Sequence, residues 1–105
     1  MSIASGFLQE LEQEAQTTRR LLERVPDTRL SWRPHEKGRT LGDLAMHVAM
    51  VPGSVAEIVS RPSPMQAPNF ADPPAPQTTP ELVKAFEESL AKAKEPILRA
   101  KRRYP

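Results

Sequence analysis

The sequence predicts an all-α fold of three long helices, on three observations. Apolar residues recur at three- and four-residue steps in three separate stretches, the spacing of helices that bury one face. Strict alternation and clusters of β-branched residues, the marks of strands, are missing. Prolines fall between the periodic stretches, seven of them within residues 61–80, a density that no continuous helix tolerates. At 105 residues the chain is expected to form one domain, residues 1–105, around a single modest core.

The first helix is expected over residues 3–25. Ile3, Phe7, Leu8, Leu11, Ala15, Thr18, Leu22 and Val25 form its apolar stripe, widened by Leu21, while Glu10, Glu12, Glu14, Arg19 and Arg20 form a wet face. Pro26 ends it, because proline disfavours helical geometry in the residue before it. In the connection that follows, "PDTRLSWRPHEKGR", Leu30 and Trp32 would turn the same way in an extended chain and pack onto the helices. His35, among polar neighbours, reads as an exposed loop residue.

The second helix is expected over residues 40–60. Thr40 caps its start, with Asp43 at the third helical position. Leu41, Leu44, Ala45, Val48 and Ala49 make the core stripe, resumed by Val55, Ile58 and Val59 after a kink at Pro52–Gly53. Gly42, Ala45 and Ala49 are small enough to admit a close neighbour. Residues 61–79 then form a long crossover, with Met65 and Phe70 as candidate anchors. The third helix is expected over residues 80–98, opened by Thr79 as cap and Pro80 in the first turn. Leu82, Val83, Phe86, Leu90, Ala93 and Ile97 line its buried face, and Pro96 is expected to kink or end it.

Composition narrows the chemistry. There is no cysteine, so disulfides, thiolate nucleophiles and thiolate metal sites are excluded. The serines lie in no strand–elbow context and the four glycines are scattered, which argues against a nucleophilic triad and a phosphate-binding loop. The net charge of +2 is uneven: −1 over residues 1–25, zero over 26–80 and +3 over 81–105. The basic end "RAKRRYP" comes without a nucleic-acid-reading module, so nucleic acid is not expected as a partner. No apolar run reaches the roughly 20 residues of a membrane span, and the first residues carry no basic leader pattern. A cytoplasmic protein with no membrane partner is expected.

One stretch, "TLGDLAMHVAM", holds the question of function. On a helical wheel His47 lies on the flank of the second helix's apolar stripe, one step outside Leu44, and Asp43 shares its row. By spacing alone, a structural histidine and a ligand both remain open. A single imidazole is not a metal site, since zinc and related ions take three or four ligands.

A resemblance adds to this reading. The helix "FLQELEQEAQTTRRLLERVP" leads into "LSWRPHEKGRTLGDLAMHVAMVPG", then into a proline-rich crossover and a further helix. From about Phe7 to about Lys94 this is similar to the first part of a DinB-like protein, of the superfamily that includes YfiT-type enzymes. The most specific piece is "LxWRPH" coupled through a short loop to "TLGxLAxHVA".

The resemblance implies an up-down-down-up four-helix bundle with a long crossover after its second helix. It implies metal-dependent activity of the thiol-dependent transferase or hydrolase-like kind on a small molecule. His47 occupies the position of a divalent-metal ligand, zinc or nickel type, and Asp43 could orient its ring. In such proteins two more histidines come from a later helix with an HxxxHRGQ-type motif, and this sequence stops short of one. The expectation is therefore an incomplete domain with an impaired metal site. The alternative is a non-catalytic helical module that self-associates, since apolar stripes lacking a fourth helix invite another copy.

Overall fold

The computed structural model describes residues 3–59 and 74–103. The fold is all-helical: α1 (Ile3–Glu23), α2 (Leu41–Val59) and α3 (Thr79–Arg103), with no strand among the described residues. A 3-10 turn at Asp27–Arg29 follows α1. The expected anchors Met65 and Phe70 lie outside the described residues.

α3 is the central element. Both α1 and α2 pack along it, whereas α1 and α2 scarcely touch each other. Ala15 and Leu22 from α1, Ala45, Met46 and Ala49 from α2, and Leu82, Phe86 and Leu90 from α3 form the core, closed at one end by Leu30. Contacts along α1 and α3 run in opposite chain directions. Val25 meets Thr79, Arg19 meets Glu87 and Glu12 meets Lys94. Contacts along α2 and α3 run in the same direction, with Gly42 beside Pro76 and Gly53 beside Ser89. The helices thus follow an up-down-down course. Parallel neighbours explain the crossover: after α2, the chain must travel back about 28 Å, the length of 19 residues of helix, before α3 can begin.

The start of α2 is held by the connection before it. The Leu41 amide donates to the Trp32 carbonyl, the Gly42 amide to the Leu30 carbonyl (both 2.8 Å), and the Asp43 amide to Thr40 Oγ1 (3.0 Å). Three of the four orphan donors of the helix terminus are satisfied in this way, and Thr40 caps as expected. Gly42 permits this approach: a Cβ there would lie 2.9 Å from the Leu30 carbonyl oxygen and 3.1 Å from Pro76.

Several expectations are corrected. Leu30 is buried but Trp32 is 50% exposed. The 3-10 turn leaves Leu30 in helical geometry (φ −61°, ψ −32°) instead of extended, so the two side chains do not turn the same way. α3 continues through Pro96 to Arg103, because proline removes one backbone bond without forbidding the next turn, and Glu95–Arg99 (3.3 Å) spans the site. Thr79 already lies within α3. Its hydroxyl donates to the Val25 carbonyl and its amide to Asp27 Oδ1 (2.5 Å), tying the start of α3 to the end of α1. On α1, Ile3, Phe7 and Leu21 are exposed.

The largest correction concerns α2. Its buried face is Gly42, Ala45, Met46, Ala49 and Gly53, while Leu44, Val55, Ile58 and Val59 of the expected stripe are exposed. The cause is the close approach to α3. At Gly53 a Cβ would lie 3.0 Å from Ser89 Oγ and 3.3 Å from the Ser89 Cα and carbonyl oxygen, so only small residues fit this contact. The Gly53 amide, next to the helix-breaking Pro52, donates to Ser89 Oγ at 2.7 Å.

Candidate functional site: the outer face of α2

With its small residues turned to α3, α2 presents its larger apolar residues to solvent. Leu44, Val48, Val51, Val55 and Ile58 recur at steps of four, three, four and three, the spacing of a seam that receives another helix. Leu44 is 54% and Val55 52% exposed, Val51 and Ile58 are also exposed, and Val48 is half-buried. No charged residue lies in the seam. Asp43 and Glu57, the acids of α2, project on rows about 100° or more away from its centre.

His47 borders the seam, one residue before Val48, and is exposed. Asp43, four residues earlier, makes no hydrogen bond or ion pair with it among the described residues, so the expected orienting contact is not formed. His35 lies far off in the connection, where its Nδ1 accepts the Lys37 amide (3.2 Å). Among the described residues no group of three or more His, Cys, Asp or Glu side chains could hold a metal ion. His47 therefore supplies one donor where a divalent ion needs three or four, and the described residues do not fit a complete metal site. Spacing alone put His47 on the flank of the core face because it placed the seam in the core; the buried face lies on the other side of the helix. The signal available in the sequence was the second, glycine- and alanine-rich face of α2.

The paired charges lie elsewhere, on the α1–α3 contact. Arg19 pairs with Glu87 and stacks 5.8 Å above the Phe86 ring. The Arg19 guanidinium holds the Glu87 carboxyl below its usual range, partly opposed by desolvation. At the end of the same contact, hydrogen bonding from Thr79 lowers the Asp27 carboxyl. The hydroxyl has one proton and gives it to Val25, so the amide is the standing donor. These groups hold helices together.

The arrangement defines a class: helical domains in which α1 runs antiparallel and α2 parallel to α3, with one face of α2 exposed among the described residues. A family model described as the DinB superfamily matches residues 10–102. The chain belongs to the DinB superfamily. Comparison with curated proteins and with solved structures gave no match.

Proposed function

We propose that this DinB-superfamily chain works as a helical self-association module, with the outer face of α2 as its contact surface and a second copy as its partner. The observation that carries this reading is the exposed, uncharged Leu44–Val48–Val51–Val55–Ile58 seam. A seam without charge meets its own copy without like-charge repulsion. The exposed seam residues amount to on the order of 350 Å² per copy and about 700 Å² in a pair, below the size of stable specific interfaces, so association is weak and concentration-dependent. The cysteine-free composition agrees with a cytoplasmic setting. The test is a Leu44→Ser/Val55→Ser double variant studied by light scattering. The wild type should associate and the variant should be monomeric with unchanged helical content. Equal masses for the two would refute the reading.

A second reading is favoured by one observation, the exposure of His47 at the border of the seam. Here the chain is part of a metal-dependent DinB-type enzyme acting on a small molecule, and His47 is one ligand of a zinc- or nickel-type ion whose other donors come from whatever covers the seam. Such an ion would supply Lewis acidity. This reading predicts that stoichiometric zinc or nickel raises the melting temperature and that His47→Ala abolishes the rise. The self-association reading predicts no such dependence.

A further inference from the structure

At the opposite end of the molecule from the α2 start, α1 begins where α3 ends. The two helices part there and leave an apolar groove of about 480 Å³ lined by Ile3, Ala4, Phe7, Pro96, Ile97 and Ala100. Ile3 is 79% and Phe7 61% exposed, large exposures for side chains this apolar. The groove is distinct from the α2 seam and shares no residue with it.

Among the described residues, the side chains that end α3 are cationic. Lys101, Arg102 and Arg103, all exposed, form the last turn of α3. The first turn of α1 contains no acid to offset them. Of the nearest acids, Glu95 is paired with Arg99, and Glu10 lies a turn beyond Phe7. Apolar side chains and cations thus share one tip of the bundle. That combination suits a surface that is apolar beneath an anionic layer.

We propose that this tip docks on an anionic lipid surface, with Ile3 and Phe7 entering the headgroup–acyl boundary and Lys101 and Arg102 meeting lipid phosphates. The expectation of no membrane partner rested on the lack of a spanning segment. No helix among the described residues is long and apolar enough to cross a membrane, but surface attachment needs none. Nucleic acid would use the cations and leave Ile3 and Phe7 without a role, which is why lipid is favoured.

The experiment is co-sedimentation of the full chain with vesicles of phosphatidylcholine, with and without 40 mol% phosphatidylglycerol as a chosen probe. Binding should require the anionic lipid and weaken as salt is raised. Phe7→Ser and Lys101→Gln/Arg102→Gln should each lower the partition coefficient about tenfold, with circular dichroism unchanged. The Leu44→Ser/Val55→Ser variant should bind like the wild type, which separates this proposal from the seam. Equal binding to neutral vesicles, no binding to either, or retention by double-stranded DNA unaffected by Phe7→Ser would overturn it.

Discussion

Gly53 and Ser89 decide how near α2 comes to α3. The Ser89 hydroxyl accepts the Gly53 amide at 2.7 Å within the buried contact, and Ser89 is the only buried polar or charged side chain among the described residues. Ser89→Ala leaves that amide without its partner and should cost about 1–3 kcal/mol in urea unfolding. Gly53→Ala drives a methyl against Ser89 and should cost about 1–3 kcal/mol by overpacking. Asp27 supplies a pH signature at the same scale. Its carboxyl is lowered in the folded chain by hydrogen bonding from Thr79, whose amide is the standing donor, so its contribution is present above the unfolded value of about 3.9 and is lost as pH falls through the lower folded value. Thermal melting from pH 6 to pH 2.5 should fall more steeply in the wild type than in Asp27→Asn. Parallel curves would show that the Thr79 contact is not formed.

The helices illustrate what periodicity can and cannot say. α3 was legible because its Leu82, Phe86 and Leu90 stripe is its only apolar face, and a central helix buries whatever apolar face it has. α2 is apolar on two faces. Periodicity then finds both, and size decides which one is buried: the close contact with α3 selects Gly42, Ala45, Ala49 and Gly53 over Leu44, Val51 and Val55. Trp32 failed for a different reason, since the local 3-10 turn, not the alternation of an extended chain, sets its direction. The coupling of "LSW" to "TLG" was visible as a pattern, and its physical content is the pair of bonds from the Leu41 and Gly42 amides to the Trp32 and Leu30 carbonyls. Between α1 and α3, Arg19 joins Glu87 and the Phe86 ring. Their side chains are about one-third and nearly one-half exposed, so screening limits the pair. Arg19→Ala should cost about 1 kcal/mol in chemical denaturation, a loss that shrinks in 1 M salt.

At the scale of the whole molecule, the up-down-down course of the helices packs α2 against α3 and scarcely against α1. Among the described residues it is covered on one side. The resemblance put His47 at the position of a metal ligand, and the structure exposes it at the border of the seam, but a single imidazole fixes neither metal nor reaction. The exposed uncharged seam is what carries the proposal that a second copy covers it. Solution mass across a concentration series is the direct measurement, by sedimentation velocity of the full chain from micromolar to several hundred micromolar. The account predicts a mass rising from 11.7 kDa toward twice that value, and a Val51→Glu variant that stays at the lower mass while keeping its helical content. A wild-type chain that remains at 11.7 kDa throughout would contradict it.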